Sequence, residues 1–391
     1  MPSLWALVRY FLYLGSLGFG GPVALVGYMQ RDLVERRGWF TRETYMKGLA
    51  LSQLAPGPLA AQLAICLGYA HSRVIGATLV GLAFILPSYV MSVGIAWLYV
   101  RYGGLIWMQA AFYGVGAAVI GIIVRAAWKL TRLTIGTDRL LWALFAVMAI
   151  VTAWAETEFG SLFVLCGVVT LLVQAPPRRW VERFAALRRR ALGGPGALRA
   201  WLPLSGVVAA FGASAPTGVL AQILWFFTKA GAFVFGSGLA IVPFLYGGVV
   251  QQYGWLDDRQ FLDAVAVAML TPGPVVITVA FIGYLVAGHA GAFLAALGVF
   301  LPVWLFVVVP YGWFDRFSEN PQVKAFVHGV TAAAAGAIAG ACVVLARRAI
   351  VDAPTLAIAV AALLVTSRWR VPEPFLIAAA AAVGLGLAWA R

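Results

Sequence analysis

Residues 11–58 read FLYLGSLGFGGPVALVGYMQRDLVERRGWFTRETYMKGLALSQLAPGP, and residues 227–274 read FTKAGAFVFGSGLAIVPFLYGGVVQQYGWLDDRQFLDAVAVAMLTPGP. The two stretches align without a gap at an offset of 216, and 14 of the 48 pairs are identical. After a slip of one residue the match continues at an offset of 215, where Gly68-Tyr69 meets Gly283-Tyr284 and Leu86-Pro87 meets Leu301-Pro302. An internal repeat in an apolar chain is typical of a transporter whose substrate binds where the two halves meet.

The composition is that of a membrane protein. Only 11% of the 391 residues are charged, against about 25% in soluble domains, and the mean hydropathy is +0.92. Apolar runs such as 74–100 and 104–124 reach the length of about 20 residues that spans a bilayer. We therefore predict an all-α polytopic membrane protein, with roughly ten crossings and no sizeable soluble domain.

The net charge of +14 is concentrated in one place. Seven arginines lie between residues 178 and 199, opposed only by Glu182. In a membrane protein such a segment is typical of a cytoplasmic loop, so we expect no nucleic-acid partner. The first apolar stretch carries Arg9 and no Ala-x-Ala site, so we expect no cleaved signal peptide. The expected location is a bacterial inner membrane, with the lipid bilayer as the surrounding partner and a homodimer left open.

No metal or cofactor is expected. The three cysteines stand singly in apolar runs, and neither they nor the three histidines have the spacing of a metal site. No zinc motif, facing carboxylate pair or nucleophile–base set is present, which argues against a membrane-embedded enzyme. A phosphate-binding loop is also absent, so nucleotide-driven transport is not indicated.

We divide the chain into an N-terminal transmembrane repeat (1–175), a basic cytoplasmic linker (176–202) and a C-terminal transmembrane repeat (203–391). Each repeat is predicted to contain a glycine-interrupted helix, an apolar stretch broken by Pro-Gly-Pro, and four further spans. The interrupted helices cover 4–30 and 217–247, and the stretches broken by Pro-Gly-Pro cover 43–70 and 259–286. The apolar run 202–218 has no counterpart in the first half and no place in this scheme.

The equivalent loops of the two repeats differ in charge. Residues 31–47 hold five basic residues, whereas residues 247–263 hold one against three aspartates. The excess of basic residues on the cytoplasmic side predicts that the first loop faces inward and the second outward, so the repeats are inverted. If the first Pro-Gly-Pro stretch is re-entrant, the basic segments 125–139 and 178–199 also fall inside. Inversion of the repeats would place Arg347 and Arg348 on the outer side of the membrane, against the excess of basic residues on the cytoplasmic side.

Four glycine-rich breaks interrupt the apolar sequence. They read Phe19-Gly20-Gly21-Pro22, Ala55-Pro56-Gly57-Pro58, Phe235-Gly236-Ser237-Gly238 and Thr271-Pro272-Gly273-Pro274. Proline removes a backbone donor and glycine allows close approach to the backbone. Unpaired backbone groups are costly in lipid, so such breaks survive where they line protein or a wet cavity. A helix that restarts after a break directs free N–H groups into the membrane centre, which favours an anion. The alternative is a set of kinked helices that pack closely.

Charged and polar residues near the breaks complete the predicted site. Lys229 lies within an apolar run and is a candidate partner for an anion, although its ammonium could instead extend to the lipid head groups. Lys47 and Asp263 occupy equivalent positions, and with Arg31 and Asp32 they are the candidates for coupling or gating. The candidate substrate-binding residues are Gly20, Gly21, Pro22, Gln53, Pro56, Gly57, Pro58, Lys229, Gly236, Ser237, Gly238, Thr271, Gly273 and Pro274.

The ordered, duplicated motifs resemble those of the chromate transporter family. They are the four breaks above together with the loop motifs Gly38-Trp39 and Gly254-Trp255. The resemblance covers nearly the whole chain and is that of the long, two-domain members. It implies export of chromate from the bacterial cytoplasm and hence chromate resistance. The second-half motif departs from the first, with Ser237-Gly238 in place of Gly21-Pro22.

Export of chromate agrees with the direction in which the membrane potential drives an anion. A potential of ~100 mV, negative inside, acts on two charges with about 4.6 kcal/mol, which is roughly a thousandfold gradient. Protons remain a candidate coupling ion, with Asp263 or Asp32 as carriers. A sulfate or general oxyanion transporter is the nearest alternative, since sulfate shares the charge and shape of chromate. An anion channel could use the same breaks, although inverted repeats suit alternating access better.

Overall fold

The computed structural model describes residues 2–19, 21–102, 106–155, 160–176, 218–233, 241–314, 320–369, 371 and 373–389. These residues form 14 α-helices and no β-strand. Four helical segments are long and apolar enough to cross a membrane, and six shorter apolar helices have 10–17 residues. The four long segments are 59–102, 109–129, 275–308 and 321–349. The predicted all-helical, multi-pass membrane protein is therefore confirmed.

Seven helices belong to the first half. They are α1 (Leu4–Leu17), α2 (Gly21–Met29), α3 (Arg42–Leu54), α4 (Leu59–Tyr102), α5 (Ile106–Ile135), α6 (Arg139–Ala155) and α7 (Gly160–Gln174). A π-helical stretch, Gln30–Arg36, continues α2.

Seven helices of the second half follow in the same order. They are α8 (Val219–Phe233), α9 (Ile241–Tyr246), α10 (Asp258–Leu270), α11 (Thr278–Val308), α12 (Pro321–Ala349), α13 (Ala353–Arg368) and α14 (Glu373–Trp389). A π-helical stretch, Gly247–Gln252, again continues α9, and a short 3₁₀ turn, Val275–Ile277, precedes α11. The linker 178–199, the apolar run up to residue 217 and the break 235–238 lie outside the described residues.

The loop that precedes the third helix is built in the same way in both halves. Gly38 and Gly254 each adopt a φ of 59°, in the left-handed region where glycine is favoured. The next helix is then capped by a side-chain oxygen: Thr41 Oγ1 accepts from Thr44 N in α3, and Asp257 Oδ1 accepts from Gln260 N in α10. A cap satisfies one of the N–H groups that a helix start leaves without a partner. Both helices have 13 residues.

The chain reverses direction between α1 and the π-helical stretch that continues α2, and α1 packs mainly against α4. The Tyr10 hydroxyl donates to Asp32, 22 residues further on, at 3.4 Å, and the Arg37 guanidinium is 5.4 Å from the Tyr10 ring. The chain leaves α1 at Gly18, where a Cβ would lie 2.6 Å from a methyl carbon of Leu25. The interruption predicted within 4–30 is therefore present, and it reverses the chain instead of only kinking one helix.

Helix α3 and the first limb of α4, residues 59–71, form a second antiparallel hairpin. The Ser52 hydroxyl lies 3.6 Å from the sulfur of Cys66, and a Cβ on Gly48 would lie 3.3 Å from the Cβ of Cys66. Each limb is about 20 Å long at 1.5 Å per residue, which is less than the bilayer core of about 30 Å. The segment 55–58 is the tip of this hairpin.

A sharp kink separates the two limbs of α4, residues 59–71 and 74–102. Ser72 and Arg73 leave the helical region there, and Arg73 has a φ of 50°. Gly68 and Gly76 contact each other across the kink, where a Cβ on either would collide with the carbonyl of the other.

Helix α11 repeats this geometry. Ala287 and Gly288 leave the helical region with φ values of −146° and 60°. Gly283 and Gly291 are again in contact across the kink. The two halves therefore share this bend as well as their sequence pattern.

The two halves are interlocked. Helix α5 packs against α13 and α14 of the second half, and α12 packs against α6 and α7 of the first. The helices approach each other closely at glycines. A Cβ on Gly121 would lie 2.5 Å from the Ala359 carbonyl oxygen, and a Cβ on Gly340 would lie 2.5 Å from the Ala149 carbonyl oxygen. Small residues at helix crossings are the usual basis of tight packing in membranes. The ranges 1–175 and 203–391 therefore share their cores.

Candidate functional site

The second Pro-Gly-Pro tip, residues 271–274, lies against the first half. The backbone N–H of Gly273 donates to the Gly18 carbonyl at 3.0 Å. The Ser88 hydroxyl of α4 donates to the Pro272 carbonyl at 2.6 Å. Because Gly18 ends α1 at the first glycine-rich break, two of the four breaks meet here.

The first Pro-Gly-Pro tip, residues 55–58, is held differently. The side-chain amide of Gln62, one turn into α4, donates from Nε2 to the Pro56 carbonyl at 2.6 Å. A Cβ on Gly57 would lie 3.1 Å from a methyl carbon of Val303 in the second half. Val303 is the repeat equivalent of Ser88 at the offset of 215. Each tip therefore contacts the equivalent position, 88 or 303, of the opposite half. The contact is a hydrogen bond at the second tip and an apolar contact at the first.

Both tips depend on glycine. Gly57 has a φ of 142° and Gly273 a φ of 94°, values that residues with a side chain rarely adopt. A Cβ on Gly57 would lie 2.6 Å from Gln62 Nε2, and one on Gly273 would collide with the Ser88 hydroxyl. Close approach and backbone conformation therefore both explain why glycine occupies these two positions.

The structure brings some of the predicted binding residues together and leaves others apart. Pro56, Gly57, Pro58, Thr271, Gly273 and Pro274 are in the two tips, and the buried Thr271 hydroxyl donates to the Ala268 carbonyl at 3.3 Å. Gln53 is exposed, and for Gly21 and Pro22 only the backbone, at the start of α2, is described. Gly20, Gly236, Ser237 and Gly238 lie outside the described residues.

Lys229 is half-buried on α8. Its ammonium nitrogen is 5.5 Å from the centre of the Trp225 ring. No carboxylate within the described ranges forms an ion pair with it. Within the described ranges no hydrogen bond or ion pair joins its side chain to either tip, so Lys229 as an anion ligand stays a prediction.

The equivalent residues Lys47 and Asp263 each meet a tyrosine of the opposite half. The Lys47 ammonium is 5.5 Å from the ring of Tyr311, which follows α11. The carboxylate of Asp263 is buried and accepts a hydrogen bond from the Tyr99 hydroxyl of α4 at 2.8 Å. The hairpin limbs α3 and α10 are therefore tied to the other half at matched places with opposite charges.

The other two coupling candidates belong to an exposed charged cluster. Asp32 lies 3.4 Å from the Arg31 guanidinium and 3.7 Å from that of Arg36. Tyr10 donates to the same carboxylate. Surface ion pairs of this kind contribute little to stability.

A groove of about 420 Å³ opens beside the second tip. Its lining is apolar, and it lies on the long limb of α4. The lining residues are Met91, Gly94, Ile95, Trp97, Leu98, Thr271 and Pro272. None of these lining residues carries a charge that could attract an anion.

Two residues of this centre, Ser88 and Tyr99, were not among the sequence-predicted sites. The sequence already indicates Gln62, with Ser52 and Gln53, as a hydrogen-bonding side chain at the depth of the breaks. Ser88 directly follows Pro87, which aligns with Pro302. The sequence alone therefore shows that the residue after this proline is a serine in the first half and a valine, Val303, in the second. Gln62 lies four residues after Pro58, in the first turn of the restarting helix. Nothing in the sequence indicates a role for Tyr99, because the residue that it contacts, Asp263, lies 164 residues further along the chain.

Comparison with known proteins gives consistent matches. The family model described as "Chromate transporter" matches residues 5–172 and 221–385. A "Chromate transport protein" of Cupriavidus metallidurans is 56% identical over 98% of this chain and 93% of the relative. A "Probable chromate transport protein" of Synechococcus elongatus is 54% identical over 100% of this chain and 96% of the relative. A "Chromate transport protein" of Pseudomonas aeruginosa is 34% identical over 91% and 84%. No solved structure matches the chain.

Proposed function

The chain belongs to the chromate transporter family, whose members are transport proteins and not enzymes, and from this premise we propose that it exports chromate across the bacterial inner membrane. Export would lower chromate in the cytoplasm and so confer resistance. The observation that carries the proposal is the meeting of glycine-rich breaks from both halves, where Gly273 N binds the Gly18 carbonyl at 3.0 Å.

An inverted arrangement of the two halves is the first part of the proposal. Helix α3 begins beside the kink at Ser72-Arg73, where the long limb of α4 starts. Helix α10 instead begins where that limb ends, because Tyr99 binds Asp263 and the Arg259 guanidinium donates to the Gln109 carbonyl at 3.2 Å. Equivalent hairpins thus start at opposite ends of α4, which supports entry from opposite faces of the membrane and tips that meet near its midplane.

Arg347 and Arg348, at the end of α12, run against the positive-inside bias if the repeats are inverted. Arg348 forms an ion pair with Asp258 at 2.5 Å, and its guanidinium is 5.3 Å from the Tyr246 ring.

Anion binding at the tips is the second part. The first backbone hydrogen bond of α4 runs from Gln62 N to the Pro58 carbonyl at 3.0 Å, so the N–H groups of its preceding turn have no partner within the helix. These donors and the positive end of the helix dipole suit a tetrahedral oxyanion. We propose that the hairpins separate alternately toward each face and so carry the anion across.

Proton coupling through Asp263 is the third part. Its buried carboxylate accepts from Tyr99, and no ion pair to it is recorded among the described residues. An ionisable group held inside a membrane protein in this way is by default a functional candidate.

The test is uptake of labelled chromate into inverted membrane vesicles with an imposed potential. We expect uptake that rises with the potential and resists excess sulfate. Uptake abolished by equimolar sulfate would make the protein a general oxyanion carrier. No uptake of either anion, in correctly inserted protein, would refute the proposed function.

A further inference from the structure

The side-chain amide of Gln62 has one group that nothing in the protein satisfies. The residue is fully buried, and its Nε2 donates to the Pro56 carbonyl. Its Oε1 is buried and has no hydrogen-bond partner. The amide cannot be turned over, because its oxygen would then face the carbonyl oxygen of Pro56. A buried acceptor without a donor is destabilising, so this atom requires an explanation.

Unpaired donors lie beside this acceptor. Helix α4 begins at Leu59, and the N–H groups of Leu59, Ala60 and Ala61 precede its first backbone hydrogen bond. Ala60 and Ala61 are buried, so bulk water does not reach their N–H groups. These donors and Gln62 Oε1 belong to the same first turn of α4, so a ligand bound at the start of this helix would meet several donors and one acceptor. A fully deprotonated oxyanion would satisfy the donors and be repelled by Oε1. A singly protonated oxyanion would satisfy both.

Chromate and sulfate differ in this respect. Chromate takes up a proton near neutral pH, whereas sulfate and selenate do so only in strong acid. We propose that Gln62 is a specificity-determining residue whose Oε1 accepts a hydrogen bond from the hydroxyl of hydrogen chromate. This inference rests on the proposed function, and it names the protonation state of the anion that the first tip binds.

Other titratable groups surround this limb of α4. Cys66, Tyr69 and His71 lie on the limb itself and Lys47 on α3, with Tyr311 after α11, whereas Asp263 on α10 is hydrogen-bonded to Tyr99 of the other limb. A change in the charge of any of these would alter the binding of every oxyanion. Selenate therefore serves as the internal control, because its own protonation is constant over the range in which chromate titrates.

The experiment measures chromate uptake by inverted vesicles one pH unit above and one below the pKa of hydrogen chromate, with selenate as competitor. For wild-type protein we expect the KM for total chromate to fall about tenfold at the lower pH, in proportion to the protonated fraction. The inhibition constant of selenate should stay constant. This first measurement needs no variant, so it does not depend on whether a variant folds.

The variant Gln62→Met keeps the length of the side chain and removes the acceptor. We expect it to lose the pH dependence of KM and about tenfold of the preference for chromate over selenate, the size of one hydrogen bond. Thr278→Val changes the residue that lies four positions after Pro274, as Gln62 lies four positions after Pro58, and its hydroxyl already donates to the Val275 carbonyl at 2.7 Å. It should keep both properties.

Ser88→Ala tests the alternative that Gln62 only supports its tip. This variant removes the hydrogen bond from Ser88 to the Pro272 carbonyl of the second tip and leaves Gln62 Oε1 in place. It should therefore lower the rate of chromate uptake and keep the pH dependence of KM. The inference is overturned if wild-type KM does not change with pH, if Gln62→Met keeps the pH dependence, or if Ser88→Ala loses it equally. A wild-type protein that takes up no chromate at either pH would instead refute the proposed function.

Discussion

The two Pro-Gly-Pro tips have similar backbones and different attachments. Both follow 13-residue helices, and Gly57 and Gly273 both have positive φ values. The second tip is hydrogen-bonded to the other half through Ser88 and Gly18, whereas the first is bonded to its own helix through Gln62. A duplicated element has thus kept its shape while its two copies acquired different partners. The first tip, which meets Val303 by apolar contact, is the one we expect to separate more easily.

The largest effect is expected from filling the tips. Gly57→Leu and Gly273→Leu should each abolish chromate uptake, because the side chain would collide with neighbours and force an unfavourable φ. Overpacking and backbone strain together cost about 2–5 kcal/mol. Uptake into inverted vesicles measures the effect, with membrane insertion checked by protease protection. Gly386→Leu is the matched control, since no atom lies within 4 Å of a Cβ there. Normal flux in both tip variants would exclude a binding site at the breaks.

The second-largest effect is expected at Asp263, and its repeat equivalent Lys47, of opposite charge, provides the comparison. A gradient of one pH unit is worth about 1.4 kcal/mol, or tenfold accumulation, if a proton is exchanged for each anion. Asp263→Asn should lose this tenfold response and retain the response to membrane potential, because Asn cannot carry a proton. Lys47→Gln, at the equivalent place in the first half, should retain both responses. Identical behaviour of the two variants would contradict a division of labour between the halves.

A smaller effect is expected where the tips differ in attachment. Ser88→Val gives the first half the residue that the second half has at position 303. The Pro272 carbonyl would lose its hydroxyl donor, which costs about 1–3 kcal/mol for a buried group. Thermal unfolding in detergent should show the loss. The reverse change, Val303→Ser, places a hydroxyl near the first tip without removing a bond, and should cost less. An unchanged melting temperature for Ser88→Val would mean that the bond to Pro272 contributes nothing.

Much of this arrangement could be predicted from the sequence because proline and glycine act locally. The breaks, the bounds of the stretches around Pro-Gly-Pro and the paired order of elements all follow from residues within a few positions of one another. The direction of the chain after the first break could not be predicted, since a kink and a reversal begin with the same residues. The Tyr10–Asp32 contact decides it. Likewise Ser88 meets Pro272 across 184 residues, and only the packing of the two halves brings them together.

The smallest effect concerns the kinks of α4 and α11. Arg73 has φ 50° and ψ −137°, and its equivalent Gly288 has φ 60° and ψ −148°. This region is nearly exclusive to glycine and costs other residues about 1–3 kcal/mol. The first half tolerates Arg73 because the kink is braced: His71 Nε2 donates to the Pro2 carbonyl and its Nδ1 accepts from the Ser72 hydroxyl, both at 2.7 Å.

Arg73→Gly should therefore raise the free energy of unfolding by about 1 kcal/mol, and Gly288→Ala should lower it by a similar amount. Arg73→Ala removes the same charge while it keeps the strain, so it separates the two causes. Thermal unfolding of the three variants in detergent measures the difference. Equal stability of Arg73→Gly and Arg73→Ala would mean that the kink of the first half is not strained. The two halves would then differ at this bend in sequence alone.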